Sequence, residues 1–408
     1  MFGSRAKKAD ASAGKQDVLS AAATQSGAAV WFRTAKFVSL LIFLALVLFG
    51  LALFNTKETA DTFHYLIKNL SGSEIVYGSS HAPIAFNTDS SVKCAAFRGD
   101  IIIATKSGVD LYDTQGELIL TDQYAFSSPE LLVGDANFLV YDVGGHTLRV
   151  YNAFSNVFTT TLPYQIFAVS LHDNGTFAVA TSEKGYHAAV YVYNASFQLI
   201  YKWLSPDKLV FDVSLCPYDS ARLLVATCKA SEGNFSGEII SLSTQSEDIV
   251  SSVHLDNALP MQVSYVKKDA NAHFWVLTDT YLANISSDNQ VLAKNTFTST
   301  DLSAYHIGPT YGVLAQKKSM VGTTYELKIF APGEKEQFCT DVGSQIFDIV
   351  SVGKKVYVLA YETLYILEPA SKTVHTYSVS RSFRKILPLE NNTLAFVSDN
   401  TVCFLLME

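Results

Sequence analysis

The sequence has few charged residues, few cysteines and no familiar catalytic motif. Only 17% of its 408 residues are charged, against about 25% in ordinary globular chains. With 26 Phe and 21 Tyr among an apolar content of 49%, this composition excludes a disordered, collagen-like or coiled-coil chain. Five cysteines are too few for a disulfide-built scaffold. A formal net charge of −8 argues against nucleic acid as a partner.

Motifs that would name a reaction are missing from the sequence. There is no dinucleotide or phosphate-binding glycine loop, no His-Glu-x-x-His, no Gly-x-Ser-x-Gly and no EF-hand pattern. The nearest candidate, residues 143–146 (Val-Gly-Gly-His), falls between two strands and is predicted to be a tight turn. We therefore predict no catalytic, cofactor-binding or metal-binding residue and expect no cofactor.

Histidine and cysteine, the usual metal ligands, are dispersed along the chain. No two histidines stand two or four residues apart, so a local metal pair is not predicted, although a site assembled from distant strands stays open. The nine are His64, His81, His146, His172, His187, His254, His273, His306 and His375. The five cysteines are Cys94, Cys216, Cys228, Cys339 and Cys403. We expect buried thiols, and whether Cys216 and Cys228 pair stays open.

Charge is absent altogether from one segment, residues 37–54. These eighteen residues, FVSLLIFLALVLFGLALF, are apolar on all sides and at about 1.5 Å per residue extend about 27 Å, close to a bilayer core. The preceding residues 1–36 carry a net charge of +4 and residues 55–408 a net charge of −12. The positive-inside rule then predicts a transmembrane signal anchor with a cytoplasmic N-terminus. A cleaved signal peptide, cut near residues 50–52 (Gly-Leu-Ala), is the alternative.

The sequence thus divides into four parts. We expect a disordered basic cytoplasmic tail at 1–36, the transmembrane anchor at 37–54, a stalk or linker at 55–71 and an extracytoplasmic domain at 72–408. This arrangement predicts a single-pass protein of the cell membrane, with its C-terminal domain outside.

The domain is built from a repeated unit. An apolar strand recurs with starts 37 to 51 residues apart; its copies begin at Ile101, Phe138, Phe177, Leu223, Phe274, Gly312, Val356 and Leu394. Each copy follows a short apolar run and precedes a hairpin, which makes four antiparallel strands per unit. We predict an all-β fold, a β-propeller of eight four-stranded blades, with seven blades or a sandwich pair as alternatives. The last unit lacks its fourth strand, so residues 73–78 (SEIVYG) are predicted to complete it.

One hairpin carries a resemblance to a known family. Residues 109–122, VDLYDTQGELILTD, resemble the Asp-x-x-Thr-Gly turn of quinoprotein-like propellers at Asp113, Thr114 and Gly116, and Trp203 falls near their docking tryptophan. In overall layout the chain resembles uncharacterised, membrane-anchored propeller proteins of the Gram-positive bacterial envelope. That second resemblance implies an architecture and no activity.

Two classes of function remain. The domain is either a platform that binds an envelope protein or glycan, or an enzyme with a site at the channel mouth, such as a quinoprotein-like dehydrogenase or a carbohydrate-active lyase or hydrolase. A hydrolase needs paired carboxylates, and the inner strands offer only scattered ones: Glu130, Asp212, Asp348 and Glu390. The sequence therefore favours the platform. Its longest loops are predicted at Cys228–Gly237 and Ala315–Thr323, overhanging one face.

Overall fold

A computed structural model of the chain describes most of it, and the chain divides into two compact units, Met1–Gly72 and Ser73–Glu408. The described residues are 36–45, 83–87, 92–113, 115–231, 234–255, 257–266, 272–308, 310–319, 322–333, 336–389 and 393–406.

The described part of the first unit is a helix over residues 36–45. It covers the first half of the predicted membrane anchor, whose residues 46–54 lie outside the described residues, as do the predicted tail and stalk. Within the described residues, none of the helices is long and apolar enough to cross a membrane. The prediction of an anchor at 37–54 therefore stays a prediction.

The second unit consists of β-strands in eight four-stranded antiparallel sheets. The first strand is β1, Ile84–Ala85. Blades 1 to 4 contain β2 Lys93–Phe97, β3 Asp100–Ala104, β4 Gly108–Tyr112 and β5 Leu118–Gln123; β6 Pro129–Val133, β7 Phe138–Asp142, β8 Thr147–Tyr151 and β9 Asn156–Thr161; β10 Ala168–Leu171, β11 Phe177–Glu183, β12 Tyr186–Tyr193 and β13 Leu199–Ser205; and β14 Leu209–Cys216, β15 Asp219–Ser231, β16 Asn234–Ser243 and β17 Ser251–Leu255.

Blades 5 to 8 repeat the same order. They contain β18 Pro260–Tyr265, β19 Phe274–Thr278, β20 Tyr281–Ile285 and β21 Val291–Thr296; β22 Leu302–Ile307, β23 Gly312–Lys317, β24 Tyr325–Phe330 and β25 Phe338–Val342; β26 Ile346–Val352, β27 Lys355–Ala360, β28 Thr363–Glu368 and β29 Thr373–Ser378; and β30 Lys385–Pro388, β31 Thr393–Val397 and β32 Thr401–Leu406. The predicted all-β propeller with eight blades is confirmed.

The second strand of each blade explains the repeated apolar runs of the sequence. Strands β3, β7, β19 and β31 are buried at every position. A strand in the middle of a blade has a neighbouring blade on each face, so both sets of alternating side chains enter a core. The sequence consequently shows continuous apolar runs there instead of alternation.

The ring closes in blade 8, where the first strand of the domain joins the sheet of its last three strands. Strand β1 pairs with β32, Ile84 opposite Val402 and Ala85 opposite Thr401. Ile84 is buried in a cluster with Cys94 and Ile101 of blade 1 and Val402 of blade 8. The predicted closing segment 73–78 lies outside the described residues, and the strand that closes the ring is β1, further along the chain. We correct that prediction: the strand that follows Pro83 is the one with an apolar side chain placed to enter the core.

Antiparallel order also defines the two faces of the propeller. Connections between the second and third strands, and from one blade to the next, lie on one face, which we call the entry face because each innermost strand begins there. Connections between the first and second strands, and between the third and fourth, lie on the opposite face, the exit face. Every position along an innermost strand can therefore be assigned to one mouth of the channel.

The predicted loop at Cys228–Gly237 is in fact a long hairpin on the entry face. Strands β15 and β16 stay in register from Arg222 opposite Ser243 to Ser231 opposite Asn234. The predicted loop at Ala315–Thr323 begins instead as strand, since β23 continues to Lys317 opposite Tyr325. In both places pairing uses the backbone polar groups that a loop would leave for water.

Candidate functional site

The innermost strands of blades 4 to 7 share a defect at the entry mouth. In each, the pairing with the second strand skips one residue, which is the signature of a β-bulge. The skipped residues are Phe211, Met261, Ser303 and Phe347. Four consecutive blades therefore have an extra residue at the same level of the channel.

The bulges direct apolar side chains to the mouth. Phe211 is 43% exposed and Met261 is 45% exposed, although both lie on innermost strands. The guanidinium carbon of Arg384 lies 4.7 Å from the ring centroid of Phe347, and this ring also packs against the core of blades 7 and 8. Phe211 and Met261 on neighbouring blades are thus the exposed apolar members of the series, while Ser303 is exposed and polar.

The long hairpin of blade 4 adds a further apolar side chain to this face. Phe235 lies one residue from the end of the β15–β16 ladder and is 57% exposed. Two ion pairs hold the hairpin to its own blade: Lys229 Nζ lies 2.6 Å from Asp207 Oδ2, and Lys208 Nζ contacts Glu238. Leu209, the first residue of β14, is 46% exposed. We call Leu209, Phe211, Phe235 and Met261 the apolar rim.

The inner carboxylates that could have served a hydrolase are used to join blades. Asp212 accepts hydrogen bonds from the backbone N–H of Val213 and from that of Val263 in blade 5, both at 2.9 Å. Asp348 repeats the arrangement with Ile349 at 3.0 Å and with Ile386 of blade 8 at 2.9 Å. Burial raises the pKa of both carboxyls, that of Asp212 to about 6, against the lowering effect of these N–H groups.

The other two inner carboxylates are also separate. Glu130 Oε1 lies 2.6 Å from Lys93 Nζ, an ion pair between blades 1 and 2. Glu390 lies outside the described residues. The three described acids, Glu130, Asp212 and Asp348, therefore do not pair with one another, because each contacts a neighbouring blade.

Inner serines and one histidine form the same kind of link. Ser170 Oγ accepts from the Leu215 N–H at 2.9 Å, and Ser214 Oγ accepts from the Tyr265 N–H at 3.3 Å. His306 Nε2 accepts from the Ser351 N–H at 3.2 Å and lies 3.0 Å from Ser351 Oγ. Burial lowers the pKa of His306 to about 4, so its ring is neutral at pH 7. Sequence reasoning missed this ring of links, which is visible only once strands of different blades are adjacent.

The exit mouth holds a small polar cavity of about 250 Å³. Its wall includes the serines of three successive inner strands, Ser170, Ser214 and Ser264, together with His172 and Tyr265. His172 Nδ1 accepts from the Asn174 N–H at 3.0 Å, while its Nε2 is buried with no hydrogen-bond partner among the described residues. This cavity is small, and its serine side chains mostly bond to backbone groups of the inner strands.

Metal-ligand and thiol chemistry does not gather at either mouth. Within the part of the chain that the structure describes, no three His, Cys, Asp or Glu side chains are grouped for a metal. All five cysteines are free thiols. Cys216 lies opposite Asp219, whereas Cys228 lies opposite Leu209 at the other end of the same strand pair. Three thiols are buried as expected, but Cys339 is exposed and Cys403 half-buried.

The residues that resemble quinoprotein-like propellers have local structural roles. Asp113 Oδ1 accepts from the N–H groups of Gln115 and Glu117, both at 2.8 Å, and closes the turn in which Gly116 has φ of 85°. Trp203 packs against the hydrophobic cluster between blades 3 and 4. Thr114 lies outside the described residues. The similarity is therefore one of turns and blade packing.

Solved structures similar to this chain are also propellers. A computationally designed protein, Ika8, matches with a TM-score of 0.58 and 13% identity over 79% of this chain and 98% of its own. The C-terminal WD40 domain of Sif2 matches with a TM-score of 0.57 and 11% identity over 80% and 99%. BamB from Moraxella catarrhalis matches with a TM-score of 0.53 and 11% identity over 79% and 98%. At these identities the likeness shows the fold alone.

Sequence comparison gives a family without a function. Among curated proteins, no sequence matches significantly. A family model described as a family of unknown function, DUF5711, matches residues 79–405, which is nearly the whole propeller. The chain belongs to the DUF5711 family.

Proposed function

We propose that the protein is a protein-binding platform that acts outside the membrane through the entry face of its propeller. The observation that carries this proposal is the apolar rim. Exposed apolar side chains on one face of a folded domain mark an interaction site, because water is released when a partner covers them. Bulges supply two members of the rim, and bulges are typical of positions where a strand redirects a side chain for function.

The link network supports a role in recognition. Asp212, Ser214 and His306 each fix an innermost strand to the next blade. A ring fixed in this way presents Phe211 and Met261 in one arrangement, so little conformational entropy is lost when a partner docks. The partner that fits best is a protein with an apolar projection, since such a projection can cover the exposed side chains of Phe211, Phe235 and Met261.

Location is the second half of the proposal. We propose that residues 37–54 anchor the chain in the cell membrane with the propeller outside, and that the partner is an envelope protein. The support is the charge-free apolar run of 37–54 and the change from a basic to an acidic chain across it.

Site-specific photocrosslinking tests the platform. A photoreactive phenylalanine analogue would replace Phe211 in the full chain in its native host, and a matched variant would carry it at Gln115, an exposed residue on the exit face. We expect one discrete protein adduct from position 211 and none from 115. The adduct should fall at least tenfold when Met261→Ser is added. Adducts of equal yield from both positions, or adducts only to glycan, would overturn the proposal.

A further inference from the structure

A groove lies away from the channel, at the outer margin between blades 3 and 4. It has a volume of about 820 Å³. One wall is strand β13, and the other is the 244–249 connection between β16 and β17. The groove opens on the exit-face side, because this connection joins the third and fourth strands of blade 4. It is therefore separate from the apolar rim.

Strand β13 offers an unused hydrogen-bonding edge to the groove. It is the last strand of its sheet, and within the described residues no strand pairs with its outer side. Leu199 and Ile200 at its start are each about half exposed. An exposed edge with apolar side chains is a template for strand addition, which proteins normally protect with charge or proline. Lys202 is the charged residue within this strand.

The charge of Lys202 is already neutralised. Its Nζ lies 2.5 Å from Glu183 Oε2, and the hydroxyl of Tyr191 donates to the same carboxylate oxygen. The ammonium also lies 5.1 Å from the Tyr191 ring centroid. Lys202 is thus paired within its own blade, on the face opposite to Tyr201 and Trp203.

The floor and the far wall of the groove differ in chemistry. Tyr201 and Trp203 form an aromatic floor, packed against the cluster between the blades. The far wall carries Glu247 and Asp248, both exposed, followed by the half-exposed Ile249. Burial, and then the negative charge of Glu247, raises the pKa of Tyr201. The Glu247 carboxylate therefore acts electrostatically on the aromatic floor. The groove is apolar below and acidic along one side.

We propose that this groove binds an extended segment of a partner protein, which adds as a fifth strand to β13. Tyr201 and Trp203 face blade 4. On that face, every second side chain of the segment is apolar where it lies on these rings, or is Lys or Arg where it reaches Glu247 and Asp248. Main-chain hydrogen bonds to the edge supply affinity, and alternate side chains supply specificity. Seven residues, the length of β13, extend about 23 Å at about 3.3 Å per residue.

Selection from a random heptapeptide phage library tests the chemistry of the occupant. The bait is the full chain in detergent micelles, compared with the double variant Glu247→Lys/Asp248→Lys. The matched control is Glu117→Lys, an exposed acid on the equivalent connection of blade 1. We expect wild type and control to enrich peptides in which an apolar residue and a Lys or Arg stand two or four positions apart, and the double variant to lose that enrichment at least tenfold.

Hydrogen exchange tests the mode of binding. An enriched peptide, synthesised and added in excess, should slow amide exchange in residues 199–205 at least fivefold and leave β9, the outer strand of blade 2, unchanged. No enrichment, enrichment that survives the double variant, or unchanged exchange in 199–205 would overturn the proposal. Slowed exchange without peptide at high protein concentration would assign the edge to a second copy and would overturn it as well. None of these results depends on crosslinking from position 211. The proposal for the groove and the proposal for the entry face can therefore fail independently.

Discussion

The backbone N–H of Val263 donates to Asp212 Oδ2 at 2.9 Å, across the boundary between blades 4 and 5. Three blades further on, the Ile386 N–H donates to Asp348 Oδ2 at the same distance. In both cases the second carboxylate oxygen accepts from the residue that follows the aspartate. The same link is thus built twice in the ring, from residues directly after a bulge.

Replacing Asp212 should weaken the propeller without affecting the rim. Asp212→Asn keeps one acceptor and puts a donor against one of the two N–H groups, so an N–H is left unsatisfied at a cost of about 1–3 kcal/mol. Urea unfolding at pH 7 followed by fluorescence measures the change. Asp135→Asn, an exposed carboxylate on the exit face, is the control and should change the midpoint little. Equal stability of the Asp212 variant and wild type would contradict the link.

The carboxyl of Asp212 also predicts a pH dependence. Its folded pKa, about 6, lies above the ordinary value of 3.8. The folded state therefore keeps a proton that the unfolded state has lost, and stability falls as the pH rises from about 4 to 6, by at most about 3 kcal/mol. Asp212→Asn should remove this slope. The measurement is the difference in urea midpoint between variant and wild type at pH 4 and at pH 7. The variant should be destabilised more, relative to wild type, at pH 4 than at pH 7.

His306 predicts a slope of opposite sign in the same range. Burial lowers its folded pKa to about 4 from 6.5. Stability is fully present above pH 6.5 and is lost as the pH falls towards 4, by at most about 3 kcal/mol, because the unfolded state takes up the proton first. His306→Gln should therefore destabilise at pH 7.5 and much less at pH 5. A destabilisation of equal size at both pH values would show that the ring is not held neutral.

Closure of the ring depends on β1. Ile84→Ala removes buried side-chain volume from the cluster shared by blades 8 and 1, and we expect a loss of about 2–4 kcal/mol. Leu118→Ala, on an exposed side chain at the edge of blade 1, should cost under about 1 kcal/mol. Thermal unfolding and size-exclusion chromatography measure both. Deletion of residues 73–78 should lower the free energy of unfolding by less than Ile84→Ala does. A larger loss from the deletion would show that residues 73–78, and not β1, close the ring.

Topology provides a test of the membrane anchor. If 37–54 is an uncleaved anchor, protease added to intact cells should degrade residues 55–408 and leave an epitope tag on the N-terminal tail protected. Permeabilised cells, in which the tag is also lost, are the control. A soluble secreted product that begins near residue 53 would contradict the anchor and favour the cleaved signal peptide.

The sequence by itself predicted a propeller of eight blades, because each blade requires one strand that is buried on both faces and such a strand is an apolar run in the sequence. The alternatives of seven blades or a sandwich pair were excluded only by the eight four-stranded sheets. Copies of this apolar strand, such as 101–104 and 356–360, can be recognised in the sequence without any tertiary contact, and so can the turns that follow them. The missing fourth strand of the last unit also predicted that an N-terminal strand closes blade 8. The predicted segment was 73–78, and only the pairing of Ile84 with Val402 showed that the closing strand is β1.

Tertiary structure alone decided what surrounds the channel. A bulge at Phe211 or Met261 depends on pairing with the next strand, and alternation in the sequence does not reveal a skipped partner. In the sequence, Asp212 and Asp348 are isolated acids. They link neighbouring blades because residues 38 to 51 positions apart in the chain lie on adjacent inner strands. The groove beside β13 has the same origin, since its walls belong to different blades and meet only when the ring is complete.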